Sequence, residues 1–279
     1  MTIVSISRGS NSRGTEVAIK VARRLGYRCL AREALLRASG LFNIPEDELL
    51  QAVEQPPSVL ERLLDGKARY IATIRATLLN QFRTDDVVYH GFAGQFFIKD
   101  ISHALKVRIL AELPDRVATV VQRIGVSEPD ARQMLVKLDK ARRQWGLYLY
   151  GIDPEDPSLY DLVLHVGKMG TDGAAEIICN LARHDPFATT PESRAALDEL
   201  ALTASVRAAL FDLDFDLEIA SLTAKDGVVQ LRIAEPPFSP TSADREFRTR
   251  HLERLRLQID ERTRNLPGLK GLHLDYADA

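Results

Sequence analysis

The stretch that decides the fold is Thr2 to Ala22, T-I-V-S-I-S-R-G-S-N-S-R-G-T-E-V-A-I-K-V-A. Its β-branched run of Ile3, Val4 and Ile6 halts at a segment of Gly, Ser and Asn. A helical pattern then starts, with Val17, Ala18, Val21, Ala22 and Leu25 on one face. Gly9 and Gly14 stand five apart and enclose four residues, the spacing of the phosphate cradle G-x-x-x-x-G-K-[ST], and each is a point where a backbone bends without a Cβ penalty. Main-chain N–H groups of such a loop, with the positive end of the helix behind them, hold anionic oxygens without side-chain charge. The motif is incomplete: Thr15 stands in the lysine's place, and Glu16 where a magnesium-binding Ser or Thr sits. Alone, a Gly-Ser loop ahead of a helix is more often an ordinary βα turn, so the rest of the chain must decide.

Downstream the alternation continues. Tyr27 to Leu30 reads as a second strand and Arg32 to Ser39 as a helical turn or two; Pro45 opens a predicted helix over Glu46 to Val53 that Pro56-Pro57 stops. A long predicted helix from about Val59 to Phe82 carries Ile71, Ile74, Leu78 and Leu79 at helical spacing, an all-helical insertion between strands. Further strands are expected at Asp86 to His90, Leu105 to Leu110 and Leu162 to Val166. Helices are expected at Phe92 to Lys99, Asp115 to Ile124, from a Ser127 cap to about Trp145, and onward from a Thr171 cap. Strands alternating with helices predict a parallel sheet covered on both faces.

Near residue 185 the pattern changes. His184-Asp185-Pro186 ends a helix, and Thr189-Thr190-Pro191-Glu192-Ser193 has turn and cap chemistry, so 186–192 reads as a linker between a domain at 1–185 and a second at 193–279. The second is predicted as a helix to Leu210, a strand over Phe215 to Leu222, a hairpin through Lys225-Asp226-Gly227 to Val228–Ile233, a helix over Ala243 to Arg264 and a strand over Leu269 to Tyr276. That is a small α+β unit of order α-β-β-α-β.

Composition bounds the function. With 45% hydrophobic and 27% charged residues the chain is a globular protein, and no apolar run approaches the roughly 20 residues of a membrane span. It opens on a strand without a charged-then-apolar leader pattern, from which a cytoplasmic protein is expected. A formal net charge of −2 argues against nucleic acid as a partner. Cys29 and Cys179 are too few for a disulfide framework or a metal knuckle and are expected to fill buried gaps. No residue set reads as metal ligands: Asp85-Asp86 reads as a solvated turn, and His90 and His103 as structural. Ser7 and Ser12 lack a G-x-S-x-G elbow.

Later motifs carry a likeness. L-D-K-A-R-R-Q-W-G-L-Y-L-Y-G (Leu138 to Gly151) continues through D-P-S-L-Y-D-L-V-L (Asp156 to Leu164) to K-M-G-T-D-G-A-A-E (Lys168 to Glu176). With I-S-R-G-S-N-S-R-G-T-E-V-A at the start, these pieces resemble, in order and spacing, the cytidylate-kinase-like family of P-loop nucleotide kinases, whose opening runs I-S-R, a Gly-Ser-Gly-Gly loop, then R-E. With Asp115-Arg116 and Arg123 the likeness covers about residues 1 to 183. It implies a three-layer P-loop NTPase-type sheet and transfer of the γ-phosphate of ATP to CMP or a related nucleotide with Mg²⁺. It also implies donor phosphates held by Gly9, Ser10, Asn11, Ser12, Arg13, Gly14 and Thr15, and catalytic roles for Arg142, Arg13 and Asp139. Asp139 and Arg142 are the ends of the family's D-K-x-R motif. Phosphoryl transfer is mostly positioning and neutralisation of charge, so cations must close over the nucleotides. Lys137, Lys140, Arg142 and Arg143, just ahead of the aromatic segment Trp145 to Gly151, would be a solvated helix face on composition alone. The likeness singles out Arg142, whose guanidinium suits bidentate contact with phosphate.

Departures from the family form a pattern. Thr15 replaces a basic residue, although Arg13 or Arg8 is within reach of the same phosphates. Ala31 replaces an Asp, Phe92 an Arg, Leu147 a lid cation and His165 an Asn. Each change removes a group that grips phosphate, base or metal, typically worth about 10²-fold in rate when it faces the transition state. Binding through backbone amides would survive them. In the C-terminal part, S-V-R-A-A-L, A-K-D-G-V-V-Q-L-R-I and N-L-P-G-L-K-G-L-H-L resemble a BON domain, a small module that binds membranes, ligands or proteins. Asp212, Asp214, Asp216 and Glu218 make its first strand acidic, unfavourable for an anionic membrane face, so a regulatory or homodimer-forming module is preferred. Two functions follow: a nucleotide kinase, its activity impaired by the departures, or a non-catalytic nucleotide sensor that signals through the C-terminal module.

Overall fold

The computed structural model describes residues 2–31, 64–91, 93–211, 213, 219–234 and 242–277. The helices expected at 32–39 and 46–53, Phe92, and the acidic residues Asp212, Asp214, Asp216 and Glu218 lie outside them. Strand β1 (Ile3–Arg8) is buried up to Ser7 because both its faces are covered: Ile3 joins one apolar layer, Val4 and Ile6 the other. It lies between β3 (Val87–His90) and β4 (Ala104–Leu110). With β2 (Arg28–Ala31) and β5 (Leu162–His165) these form a wholly parallel five-stranded sheet of order β2-β3-β1-β4-β5. The strand order reverses beside β1, and in such sheets ligands bind in the crevice outside the carboxyl ends at that point.

Helices cover both faces, as the alternation requires. On one side, Val17, Ala18, Val21 and Ala22 of α1 (Gly14–Leu25) meet Ala174, Ala175 and Ile178 of α6 (Val166–Ala182) over Val4, Ile6, Val107 and Ile109. On the other, α2 (Leu64–Phe82), the short α3 (Gly94–Phe97) and the end of α5 (Glu128–Tyr150) bury Leu78, Leu79, Phe82, Phe97, Trp145 and Leu149 against Ile3, Val87 and Tyr89. Helix α4 (Leu113–Ile124) packs on α5 through Val117, Val120, Ala131 and Leu135. This is the three-layer P-loop NTPase-type architecture expected, helical segment between strands included.

Several local expectations need correction. Helix α5 passes Trp145 and ends at Gly151, whose φ of 66 makes it the left-handed cap. Gly146 lies inside the helix because a Cβ there would stand 2.5 Å from Pro154 Cδ and 2.8 Å from the Ile152 carbonyl. Thr171 follows a break in α6 at Gly170 (φ 64, ψ 179), and its hydroxyl bonds to Glu16 and Lys20 of α1 rather than capping its own helix. Cys29 is exposed, and only Cys179 is buried. Asp85 is no solvated residue: it is 3% exposed and receives bonds from Thr189 and Arg194.

Those last contacts belong to α7 (Pro191–Leu210) and the residues leading into it. Thr190 and Ser193 start the helix as a reciprocal capping box. Leu197, Ala201, Ala204 and Ala208 then join the core of the first sheet, while Leu202, Val206 and Leu210 join a second core. That core lies over a three-stranded sheet of order β6-β7-β8, built from β6 (Ile219–Lys225), β7 (Val228–Ile233) and β8 (Gly271–Tyr276). Positive φ at Asp226 (52) and Gly227 (86) closes the antiparallel β6-β7 hairpin, and β8 adds in parallel after α8 (Ser242–Thr263), which contributes Leu255 and Ile259. The small unit thus has the α-β-β-α-β order read from the sequence. Polar ties fasten α7 to α2 and to the turn ahead of β3: Arg83 Nε to Asp198 Oδ1 (2.6 Å), Asn80 Nδ2 to Ser205 Oγ (2.8 Å), and Arg194 to Asp85, which also faces His103 Nε2 at 3.4 Å.

Candidate functional site

The site lies at the carboxyl end of β1. Gly9 N donates to the Ile109 carbonyl at the end of β4 (3.0 Å), which anchors the loop 9–13, and Ser12 N turns back to the Gly9 carbonyl (3.3 Å). The residues with left-handed φ are Asn11 (54) and Arg13 (60), not the two glycines. A Cβ on Gly9 would meet nothing nearer than 3.8 Å, whereas one on Gly14 would lie 2.6 Å from Arg8 Cβ. Gly14 therefore serves a close approach by Arg8, and the bending falls on Asn11 and Arg13. Arg13 is the N-cap of α1 and offers no side-chain cap; the first intrahelical bond is Val17 N to the Arg13 carbonyl, so the amides of Gly14, Thr15 and Glu16 precede the helical ladder. Within the loop, the Ser10 and Ser12 hydroxyls are buried, at 2% and 0% exposure, without a hydrogen-bond partner.

Charge at this loop comes from Arg13, Glu16 and Arg142. Arg13 forks onto Glu16, Nε to Oε2 at 2.9 Å and Nη2 to Oε1 at 3.1 Å. Glu16 also accepts from the Thr171 hydroxyl (2.7 Å) and pairs with Lys20 (3.1 Å), and these donors, Thr171 foremost, hold its carboxyl down at about 2. Lys20 and Arg24 pair in turn with Asp172, so the middle and the last turn of α1 are tied to α6. Arg142 reaches over from α5 and donates from Nη1 to the Arg8 carbonyl at 3.1 Å, which brings its guanidinium to the mouth of the loop. Asp139 does not reach the loop: its Oδ2 accepts from Arg116 Nη2 of α4 (2.6 Å). Lys137, Lys140 and Arg143 are exposed, and Arg143 pairs with Asp153 (2.7 Å).

A buried polar knot, not singled out from the sequence, braces the loop from below. The Tyr160 hydroxyl donates to the Pro154 carbonyl (2.8 Å) and lies 3.2 Å from Ser7 Oγ; Arg108 Nη1 donates to it (3.2 Å), as does Gln95 Nε2 (3.3 Å). The segment after α5 is thereby fastened to β1 and β4. Tyr160 stood inside a quoted motif, but nothing in the sequence distinguished a buried bracing hydroxyl from a core aromatic. Of the family departures, Thr15 and Ala31 are half-buried, Leu147 is 47% exposed, and His165 caps α6 with Nδ1 3.6 Å from Glu112. Among the described residues no group of three His, Cys, Asp or Glu side chains is placed to hold a metal, and no helix is long and apolar enough to cross a membrane.

A loop with two buried unpartnered hydroxyls ahead of an uncapped helix start is a candidate anion site, and the chain has known relatives to set beside it. The cytidylate kinase-like family matches residues 3–168. A cytidylate kinase of Thermococcus kodakarensis is 24% identical over 177 residues, 63% of this chain and 85% of its own. One of Archaeoglobus fulgidus is 28% identical over 178 residues, 63% of this chain and 91% of its own. Shikimate kinase from Acinetobacter baumannii aligns over 65% of this chain and 92% of its own, at 14% identity and a TM-score of 0.38. The family match stops before α7 and the second sheet. With more than half of its length matched, the chain belongs to the cytidylate kinase-like family.

Proposed function

We propose that this protein binds a nucleotide through residues 9–15 and moves the γ-phosphoryl group of ATP to CMP or a related nucleoside monophosphate. The observation that carries this reading is the pair of Ser10 and Ser12 hydroxyls, buried and unpartnered in a loop that ends at an uncapped helix start. Leaving a buried hydroxyl unsatisfied costs about 1–3 kcal/mol, so two of them beside three amides suit a ligand with several acceptor oxygens. Arg142, at the mouth of the loop, is in place to balance charge on the transferring group. Arg13 and the loop backbone hold the donor phosphates, and Asp139 sets the angle of α5 through Arg116. The acceptor, CMP, is taken from the names of the relatives.

Among the described residues magnesium finds no protein site. Glu16, at the motif's Ser/Thr position, has its carboxylate filled by three donors, so the nucleotide's own phosphates and water would hold the ion. A second reading, a sensor that binds without turnover, is supported by α7, whose two faces join the nucleotide domain to the small sheet. On either reading, 1–185 is the nucleotide domain and 193–279 a BON-like regulatory or dimer-forming module joined to it through 186–192 and the shared helix α7, in a cytoplasmic protein with no nucleic-acid partner and no membrane span. Coupled ADP release with CMP, UMP and AMP, beside calorimetric titration with ATP, separates the readings. Turnover supports the kinase, ATP binding without turnover supports the sensor, and no binding refutes both.

A further inference from the structure

Thr15 leaves the loop without the lysine of its motif, and three arginines lie near it. Arg13 is forked onto Glu16, and Arg142 comes from the lid helix and holds a backbone carbonyl. Arg8 is the last residue of β1, in register with Ile109 of the neighbouring strand, so its backbone is fixed by the sheet. Its stem runs across Gly14: a Cβ built on that glycine would lie 2.6 Å from Arg8 Cβ, 3.4 Å from Cγ and 3.1 Å from Cδ. The stem therefore crosses the first residue of α1, with the guanidinium carbon two bonds beyond Cδ. The macrodipole disfavours a cation at this end of a helix, so an arginine laid across it matches a site whose ligand is an anion. The buried Ser10 and Ser12 hydroxyls are independent signs of that ligand.

We propose that Arg8 supplies the positive charge of the phosphate loop, taking over the task of the missing lysine, with Gly14 kept free of a side chain so that the arginine stem can lie along the helix start. The proposal rests on the nucleotide-binding reading above and adds a residue to it. A lysine after the second loop glycine contacts phosphate from the helix; an arginine before the loop contacts it from the strand, so the charge arrives on a rigid element and does not depend on closure of the lid.

The test is calorimetric titration of the full chain with ATP, on wild type, Arg8→Met, Arg8→Gln and Arg8→Lys, with thermal melts of each as a folding control. Met keeps the apolar stem over Gly14 and Lys keeps stem and charge. The neutral variants are expected to bind ATP about 10- to 100-fold more weakly, the worth of a charge-assisted hydrogen bond, while Arg8→Lys stays within about fivefold. Should Arg8→Met not fold, Arg8→Gln carries the comparison. A neutral variant that binds ATP as wild type does overturns the proposal while leaving the nucleotide reading intact, and so does an Arg8→Lys as weak as the neutral forms. Wild type that binds no ATP overturns both.

Discussion

At the residue scale, Arg13 and Glu16 show how much one turn of chain can hold. Arg13 sits at φ 60, a conformation that costs an L-residue about 1–2 kcal/mol and a glycine almost nothing. Its ion pair with Glu16 is exposed and worth little in return. Arg13→Gly is therefore expected to raise the unfolding free energy by about 1 kcal/mol in urea titration. Glu16 couples the same turn to pH. Its folded carboxyl is held at about 2 against an ordinary 4.5, so the stability it contributes is complete above 4.5 and is lost as pH falls toward 2. Urea midpoints measured from pH 5 to pH 3 should fall less steeply in Glu16→Gln than in wild type, and Thr171→Ala, which removes the largest cause of the depression, should shift the loss to higher pH. The loop was legible in the sequence as a place, strand to loop to helix, but not as a geometry. Glycine spacing pointed to Gly9 and Gly14 as the bends, whereas Asn11 and Arg13 bend and Gly14 makes room for Arg8. Spacing records where a side chain is absent and not why.

At the scale of elements, α5 is the instructive case. A glycine after an apolar run is the usual mark of a helix end, and Gly146 misleads by that rule because its reason is a contact distant in the fold, the Pro154 ring laid against the helix. The true end, Gly151, came five residues later. Gly146→Ala would press a methyl into Pro154 and the Ile152 carbonyl, an overpacking expected to cost about 1–3 kcal/mol. It would also loosen the segment that Tyr160 fastens to Ser7, and differential hydrogen exchange at 152–160 would report it. Ser127, in contrast, was readable as a cap because its bond to Asp130 N lies within four residues. Local chemistry is visible in sequence, and packing against remote elements is not.

At the scale of the whole molecule, the switch in strand order and Arg142 meet at one end of the β-strands, while α7 is pinned at the other, through Asp85 ahead of β3, which faces His103 ahead of β4. The composition shift near residue 185 was legible, but the helix after it is apolar on opposite sides, and a pattern without a single face does not announce that it belongs to two cores. Because α7 contributes to both, the chain is expected to unfold in one calorimetric transition with van't Hoff and calorimetric enthalpies equal. Val206→Ala, which opens a cavity on the small-sheet side, should lower that single transition, at a cost of about 2 kcal/mol, rather than split it. Two separated transitions would refute the shared core.

A seam that runs along the middle of a helix cannot be unpicked at its ends. Recombination at residues 186–192 would leave the nucleotide domain with Leu78, Leu79 and Phe82 stripped of part of their cover, and would hand any new host a rod whose second oily flank finds no mate. Inheritance of the pair as a unit is thus written into which way Leu197, Ala201 and Ala204 point.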